Sequence, residues 1–399
     1  MNMSEIQTME DTHGAKVYAK KPVAIIRGTG VLLYDTEGRE YVDCAGGYGT
    51  CIVGHTHPKV VAAISDQAAK LISCHGSTYN DARANLFSKL LTITPTELDR
   101  FFLCNSGAEA NECAIKIARK FTKRRKIVSF KGAFHGKTHG ALSATWDAKY
   151  RKNFEPLLPD FTHISYGNAE AAKTEINSDT AAVLVEPIQG EGGIRPAPKD
   201  WLPLVADLTR DAGALLVADE IQSGFGRTGK MFACEHYGVK PDILCIGKGI
   251  ASGLPLSVTA TDSEKMGSIQ VGEHTTTFGG NPVVCAAAAA TIDVLRENHL
   301  VDNAAKVGRY FMDQLLSVQK QLRIVREVRG MGLMIGVEMR FDVYPILTEA
   351  LSQGILMLDA GRNVLRFLPP LVLDESKVDR VVSGLRTIME KEQLAKLPS

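Results

Sequence analysis

Short apolar runs separated by amphipathic stretches dominate the middle of the chain. Five four-residue runs begin at Phe101, Ile127, Ala182, Ala214 and Ile243. Helical patterns lie between some of them, at Ala108–Phe121 and Trp201–Asp211. Strands that alternate with helices in this way form a mostly parallel sheet covered on both faces. The pattern therefore predicts an α/β fold built on one large sheet.

The two ends of the chain have a different pattern. Val23–Asp43 predicts short strands around the turn Asp35–Gly38, and a helix follows from Pro58 to about Leu71. The C-terminal part mixes both kinds of element. Helices are predicted at about Pro282–Glu297, Leu300–Lys320 and Glu375–Glu390, strands at Leu333–Met339 and about Val364–Leu368, and a further element at Tyr344–Gln353. We predict a large domain at 56–298 and a smaller α+β domain formed by 1–55 together with 299–399.

Composition narrows the kinds of partner. Lys+Arg total 46 and Asp+Glu 45, so no net field attracts nucleic acid or an anionic membrane. The first 21 residues lack the apolar core of a secretory signal, and no apolar stretch is long enough to span a bilayer. Eight scattered cysteines without a C-x-x-C pair suit a reducing compartment. We expect a cytoplasmic protein with a local site for a small molecule, and no nucleic-acid or membrane partner.

A possible phosphate site follows the first apolar run. Asn105–Ala110 joins that run to a helix, and Gly107 lets the backbone come close to a ligand. The free N–H groups at a helix N-terminus favour an anion. A simple N-cap by Ser106 explains this motif equally well.

Two charged residues follow other predicted strands. Asp219 can pair with the ring nitrogen of a pyridine cofactor and keep it protonated, although a lone aspartate at such a place is more often a loop cap or ion-pair partner. Lys248, between two glycines, can form a Schiff base and move a proton, although most lysines are solvated surface residues. The possible phosphate site at Asn105–Ala110, the carboxylate of Asp219 and the amine of Lys248 each lie at the end of a predicted strand. Together they indicate one cofactor, pyridoxal phosphate (PLP).

Around these residues the chain resembles the class III (ω-amino acid) aminotransferases of PLP fold type I over nearly its whole length. The similar stretches are Gly46–Gly49, Gly54–Pro58, Asn105–Ala110, Gly132–Gly136, Glu186–Gly193, Asp219–Gln222, Lys248 and Thr276–Pro282. The resemblance implies a large domain with a mostly parallel seven-stranded sheet and a smaller α+β domain.

The resemblance also implies roles for single residues. Phe134 should stack on one face of the cofactor ring, Ile221 should press on the other, and Gln222 should lie near the ring hydroxyl. Taken as isolated apolar residues, Phe134 and Ile221 would be better explained by ordinary core packing. The remaining cofactor-binding positions implied are Ser106, Gly107, Ala108, His135, Asp219, Lys248 and Thr277.

On the substrate side, the resemblance assigns Arg366 to the α-carboxylate of 2-oxoglutarate or glutamate, which a guanidinium fork fits bidentately. Glu191 is expected to mask that arginine when a different amine donor enters. Thr276 and Thr277 are expected to complete the neighbouring subunit's site, so the resemblance implies a homodimer or a higher oligomer.

Within the family, several stretches are similar to the acetylornithine-type and carrier-protein-linked lysine or ornithine aminotransferases. They are Tyr41–Gly49, Ser143–Arg151, Val325–Met334 and Arg366–Val372. This similarity implies transfer of the terminal amino group of an acylated basic amino acid to 2-oxoglutarate, giving a semialdehyde and glutamate in lysine or arginine biosynthesis.

One substrate position departs from the family pattern. Lys137 follows Phe134–Gly136, where the family usually has an arginine that binds a substrate carboxylate; lysine keeps the charge but loses the planar fork. The same Phe-His-Gly-Lys sequence resembles the putrescine aminotransferases. A putrescine, other diamine or 4-aminobutyrate aminotransferase is therefore the alternative, and a class III aminomutase or a decarboxylating enzyme is a remoter one.

A basic cluster ends the helix after the possible phosphate site, at Lys120, Lys123, Arg124, Arg125 and Lys126. It can dock an acidic amino-group carrier protein that presents the substrate. We favour the simpler interpretation, in which it is a solvated helix end that complements the helix dipole.

Overall fold

The computed structural model describes residues 1–396, and its regular elements run from end to end of that range. The strands are β1 (Ile25–Thr29), β2 (Leu32–Asp35), β3 (Glu40–Asp43), β4 (Arg100–Cys104), β5 (Lys126–Phe130), β6 (Phe161–Ile164), β7 (Thr180–Val185), β8 (Ile188–Gln189), β9 (Arg195–Pro196), β10 (Leu215–Asp219), β11 (Ile243–Ile246), β12 (Ser257–Thr261), β13 (Val325–Met331), β14 (Met334–Met339), β15 (Ile355–Leu356), β16 (Leu358–Asp359) and β17 (Val364–Phe367).

The helices occupy most of the remaining chain. They are α1 (Met3–His13), α2 (Gly46–Gly49), α3 (Pro58–Lys70), α4 (Asp81–Leu90), α5 (Gly107–Thr122), α6 (His139–Ala144), α7 (Ala148–Arg151), α8 (Ala169–Glu175), α9 (Trp201–Asp211), α10 (Ser263–Gly267), α11 (Pro282–Glu297), α12 (Leu300–Gln321), α13 (Tyr344–Ser352) and α14 (Glu375–Lys396). Single 3₁₀ turns lie at Lys152–Phe154, Ala233–Tyr237 and Lys248–Ala251.

The central sheet has seven strands in the order β4-β12-β11-β10-β7-β5-β6. All are parallel except β12, which is antiparallel to both of its neighbours. The prediction of a mostly parallel seven-stranded sheet is confirmed. The strands β6 and β12 are additions that the apolar pattern did not reveal.

Helices cover the sheet through narrow apolar faces. The face of α5 buries small and branched residues, namely Ala110, Cys113, Ala114, Ile117 and Ala118. The helix begins directly after β4 because Ser106 and Glu109 form a reciprocal capping box, in which each side chain accepts a backbone N–H of the other. This cap fixes the backbone of Gly107 and Ala108 at the end of the strand.

Two smaller four-stranded sheets lie outside the central sheet, and one of them joins the two ends of the chain. One has the order β1-β2-β3-β15, and the other β13-β14-β17-β16. Ile355 of β15 pairs in parallel with Val42 of β3, so a C-terminal strand extends the N-terminal sheet. The domain boundaries at residues 55 and 298 stay a prediction.

The parallel strands of the large sheet end at one edge. Asp219 is the last residue of β10, and Gly107, Phe134, Glu186 and Lys248 each lie shortly after the carboxyl end of a different strand. This edge is where open α/β sheets hold their ligands. Among residues 1–396, no helix combines the length and apolar character needed to cross a bilayer.

Candidate active site

A cavity of about 380 Å³ opens at this edge, and most of the predicted site residues line it. The lining consists of Gly107, Ala108, Phe134, His135, Gly136, Lys137, Glu186, Glu191, Asp219, Ile221, Gln222 and Lys248. A larger groove of about 530 Å³ lies elsewhere, between 92–95 and 231–241, and contains none of the predicted residues. Ser106, Thr276, Thr277 and Arg366 lie outside the lining of the 380 Å³ cavity.

Asp219 is a buried carboxylate held in one orientation. Its Oδ2 accepts hydrogen bonds from His135 Nδ1 (2.7 Å) and Asn111 Nδ2 (2.8 Å), and its Oδ1 accepts one from Ile221 N–H (3.1 Å). Asn111 also donates to the His135 carbonyl, so it fixes both partners. Sequence reasoning gave Asn111 no role, although it directly follows the Asn105–Ala110 motif.

Lys248 combines an uncommon backbone conformation with a perturbed amine. Its φ is 44°, in the left-handed region that L side chains rarely adopt, and such a backbone is tolerated only where the surrounding structure enforces it. Burial lowers the pKa of Lys248 to about 8, although the negative charge of Glu191 opposes this shift. A substantial fraction of the amine is therefore neutral, and so nucleophilic, near neutral pH.

The predicted phosphate cradle leaves no space for side chains. A Cβ on Gly107 would lie 2.8 Å from the Ile221 side chain, and one on Gly136 would lie 2.6 Å from Ala108 Cβ. Ser106 is exposed and its Oγ accepts the Glu109 N–H at 3.3 Å, so the N-cap interpretation of this serine is observed. The cap and an anion site are compatible, because the N–H groups of Gly107 and Ala108 stay free of the capping bonds.

Phe134 and Lys137 lie on another wall, beside a tyrosine that sequence reasoning gave no role. The rings of Phe134 and Tyr150 meet edge to face with centroids 5.2 Å apart. Lys137 Nζ lies 5.4 Å from the centroid of the Tyr150 ring, and Lys149 Nζ lies 4.7 Å from it. Two lysines therefore flank one aromatic ring beside the cavity.

Glu191 and Arg366 form an ion pair, as the resemblance implied, through Glu191 Oε1 and Arg366 Nη1. The Arg366 side chain is 1% exposed, and its guanidinium lies 5.5 Å from the ring centroid of Tyr48. Burial alone would raise the pKa of Glu191, but the charges of Arg366 and Lys248 hold it below its usual range. The pair is thus ionised, with the arginine masked.

Glu186 is the third carboxylate of the lining, and sequence reasoning gave it no role. Its oxygens accept the N–H groups of Phe134 (3.0 Å) and Gly190 (3.1 Å). Burial raises the pKa of Glu186 to about 7, and nearby Asp219 adds to the rise while His135 opposes it.

Thr276 and Thr277 lie on the segment before α11, away from the lining of the same chain's cavity. Thr276 Oγ1 accepts from Asn105 Nδ2 (3.3 Å) and from Gly279 N–H (3.2 Å). Thr277 is exposed, as are the nearby apolar residues Val271 and Phe278.

The basic cluster at the end of α5 is largely occupied by internal partners. Arg124 Nη1 donates to the carbonyls of Thr180, Ala212 and Gly213. Lys126 pairs with Glu175 at 2.9 Å, and Lys120 pairs with Glu273. These bonds favour the helix-end interpretation over a carrier docking site.

The residues present fit PLP. A buried, oriented carboxylate suits a protonated ring nitrogen, a helix N-terminus lined by small residues suits a phosphate, and a partly neutral lysine suits an aldehyde. Gln222 Oε1 is buried without a hydrogen-bond partner in the described chain, as expected of an acceptor that awaits a ligand group. Residues 1–396 contain no cluster of three side chains able to hold a metal ion.

Fold and site together define a PLP-dependent transaminase. The chain belongs to the class-III aminotransferases, whose family model matches residues 14–389. It is 42% identical to a [LysW]-aminoadipate semialdehyde transaminase of Deinococcus radiodurans, over 97% of this chain and 91% of that protein. It is also 42% identical to an acetylornithine aminotransferase of Methanocaldococcus jannaschii, over 94% of this chain and 96% of that protein.

A solved structure shows the same fold. An ornithine aminotransferase from Toxoplasma gondii, with PLP at partial occupancy in its active site, superposes with a TM-score of 0.95. The two chains are 32% identical, and the match covers 99% of this chain and 96% of that one. PLP, the cofactor of the family, is therefore the cofactor of this enzyme.

Proposed function

We propose that this enzyme moves the terminal amino group of an acylated basic amino acid to 2-oxoglutarate, giving a semialdehyde and glutamate. The donor is acetylornithine, acetyl-lysine or a carrier-linked lysine or ornithine, as in lysine and arginine biosynthesis. A relative named for a carrier-linked substrate and a relative named for acetylornithine both match nearly the whole chain, each at 42% identity. We therefore propose the class of donor and leave its individual member to experiment.

The observation that carries this proposal is the ion pair between Glu191 and the buried Arg366, at the cavity that Glu191 and Lys248 both line. A transaminase with two unlike substrates must bind the α-carboxylate of 2-oxoglutarate at one moment and the uncharged chain of a terminal amine at another. A masked arginine supports both tasks, because its exposed charge would be costly beside an apolar chain. An aminomutase, which isomerises one molecule, has no need of this alternation.

The two lysines beside the Tyr150 ring support an acylated amino acid, rather than a diamine, as the amine donor. Lys137 and Lys149 both present ammonium groups there, and Asp147 pairs with Lys149 at 3.3 Å, so one positive charge is in excess. The distal carboxylate of acetylornithine is attracted by that excess charge, whereas the second ammonium of putrescine is repelled. The lysine at position 137, which resembles the diamine enzymes, is thus compatible with a carboxylate-bearing donor when Lys149 assists it.

The chain's own residues divide the chemistry. Bound PLP withdraws electrons from the substrate carbon that carries nitrogen. We propose that Asp219 keeps the ring nitrogen protonated, that Gly107 and Ala108 hold the phosphate, and that Phe134 and Ile221 confine the ring. Lys248 would take the proton from the substrate carbon as a base and later give a proton back as an acid.

We propose a homodimer in which Thr277 reaches the neighbour's phosphate. The exposed apolar residues Val271 and Phe278 on the same segment support an interface there. A carrier-linked donor would reach the cavity at its Lys137 and Lys149 side, where Trp146 is also exposed, and an acidic carrier suits that charge.

A donor screen with 2-oxoglutarate tests the proposed function. It compares acetylornithine, acetyl-lysine, carrier-linked lysine, ornithine, putrescine and 4-aminobutyrate, with glutamate formation as the readout. We expect an acylated donor to give the highest kcat/KM. Highest activity with putrescine would replace the proposal by the diamine alternative, and product without glutamate would indicate an aminomutase.

A further inference from the structure

The segment 190–194, which carries Glu191, is held from two sides by buried charged groups. We infer that Arg329, a residue of β13, is a positioning residue that fixes the backbone of this segment, so that Glu191 masks and frees Arg366 by rotation of its side chain alone. This inference rests on the proposed function, because it assigns a part to the Glu191–Arg366 pair.

Arg329 reaches the segment with most of its guanidinium. Its Nε donates to the carbonyls of Gly193 (2.9 Å) and Ile194 (3.1 Å), and its Nη2 donates to Gly193 again (2.7 Å). The side chain is only 8% exposed. A planar fork that binds two consecutive carbonyls defines a backbone more tightly than a single contact does.

The remaining nitrogen of Arg329 is fixed in turn. Its Nη1 pairs with Glu338 Oε2 at 2.7 Å and with Glu327 at 2.6 Å. Glu338 is 5% exposed and also pairs with Arg195 (3.2 Å) and Arg326 (3.1 Å). Burial opposes ionisation of Glu338, but its bond to Arg329 and the surrounding arginines keep its pKa below the usual range.

The ion pairs of Glu338 are located on β14, the strand that pairs with the strand of Arg366. Glu338 lies on β14, whose Gly336 faces Arg366 across the strand pair. A Cβ on Gly336 would lie 2.9 Å from Ile194 Cβ and 3.3 Å from the Gly193 carbonyl. The segment is therefore packed against the same strand that positions its ion-pair partner.

The other end of the segment is held by the large sheet. Glu186, at the end of β7, accepts the Gly190 N–H, and it also accepts the Phe134 N–H beside the cavity. With Gly190 fixed on one side and Gly193 and Ile194 on the other, a hinge movement would break bonds at both ends. Side-chain rotation of Glu191 breaks only its contact with Arg366.

The test compares the two half-reactions of the PLP-loaded enzyme. One is amino transfer from acetylornithine, or from the most active terminal-amine donor of the screen if acetylornithine does not react, and the other is the return reaction of the amino form of the cofactor with 2-oxoglutarate. Glu191→Gln removes the mask, so the ratio of second-order rate constants should move toward 2-oxoglutarate. We expect Arg329→Gln to move it in the same direction by about tenfold, since bonds from a charged donor to the segment are lost.

Non-additivity is the readout that a merely structural role would not give. The double variant Glu191→Gln/Arg329→Gln should show no further change in the ratio beyond Glu191→Gln. Arg326→Gln is the matched control, because Arg326 pairs with Glu338 but does not bond to the segment; its ratio should equal that of the wild type. If Arg329→Gln does not fold, Arg329→Lys keeps the charge but loses the fork and should shift the ratio in the same direction.

Two results overturn the inference, and they are distinguishable. If Glu191→Gln shifts the ratio but Arg329→Gln lowers both half-reactions equally, Arg329 serves stability only and the proposed function stands. If Glu191→Gln leaves the ratio unchanged, the masking of Arg366 fails, and the positioning role fails with it.

Discussion

The imidazole of His135 lies with its Nδ1 2.7 Å from Asp219 Oδ2, and the two side chains are 0% and 5% exposed. Asn111 donates to the same oxygen from a second direction. Because these donors hold the carboxylate in one orientation, Asp219 needs no reorganisation to meet the cationic ring nitrogen proposed as its partner. His135, predicted to bind the cofactor, is thus placed to act through Asp219.

Asp219→Asn should keep the shape of this network but lose its negative charge. We expect PLP to bind and turnover to fall by about 10²–10³-fold, since the ring nitrogen loses its counter-ion. The measurement is kcat in the acylated-donor assay. Asp242→Asn is a suitable control, because Asp242 caps the Leu216 N–H outside the cavity and should alter turnover less than twofold, roughly the level of a distant site. Near-normal turnover of Asp219→Asn would contradict the assigned role.

The lowered pKa of the Lys248 amine leads to a prediction of how PLP uptake depends on pH. Only the neutral amine attacks the aldehyde, and with a pKa of about 8 its fraction falls about tenfold for each pH unit below that value. Uptake by the cofactor-free enzyme, followed by visible absorbance, should therefore rise steeply from pH 6 and level off above about pH 8. Lys248→Ala should show neither the absorbance band nor turnover. A rise that continued to about pH 10, as for an ordinary lysine, would argue against the shifted amine.

Asp43 and His55 predict a second pH dependence, this time of stability. Burial disfavours the imidazolium, but the 2.7 Å bond to Asp43, with help from Cys51, raises the pKa of His55 to about 10. A raised pKa means that the stabilisation is fully present below about pH 6.5 and is lost as the pH rises through about 10. The difference in unfolding free energy between wild type and His55→Gln should therefore shrink by about 2–4 kcal/mol from pH 6.5 to 9.5. Denaturant unfolding at several pH values measures it, and a constant difference would refute the assignment.

Lys137→Arg tests the departure from the family pattern. The guanidinium fork should bind a donor carboxylate bidentately and lower the KM for acetylornithine by up to about tenfold, with little change for putrescine. Lys131→Arg is the matched control, since Lys131 lies 5.5 Å from the Trp146 ring centroid and outside the cavity lining. An equal gain with both donors would show that Lys137 does not contact a substrate carboxylate.

The sequence predicted the fold where apolar runs were continuous. Strand β12 was not predicted, because the polar residues Ser257, Thr259 and Thr261 alternate along it and suggest an exposed segment. They are buried, since their hydroxyls donate to the carbonyls of Ser106, Ala110 and Asp242. Local pattern does not show such distant partners, so a buried polar strand resembles a loop.

The candidate site was predictable where residues stand inside motifs. Lys248, Asp219 and Gly107 were found because each follows a predicted strand, and the structure brings them to one edge. Arg329 acquires its proposed role through Gly193 and Ile194, far along the chain, and Tyr150 acquires its place through the rings and ammonium groups that the fold packs around it. Their sequence neighbourhood carries no signal of those contacts, which is why sequence reasoning gave them no part.

The left-handed backbone at Lys248 means that stability and reactivity favour different residues at that position. A side chain at such a φ costs on the order of 1–2 kcal/mol relative to glycine, which adopts it freely. Replacing Lys248 by glycine should therefore relieve backbone strain and, under the proposed mechanism, remove the amine on which turnover depends.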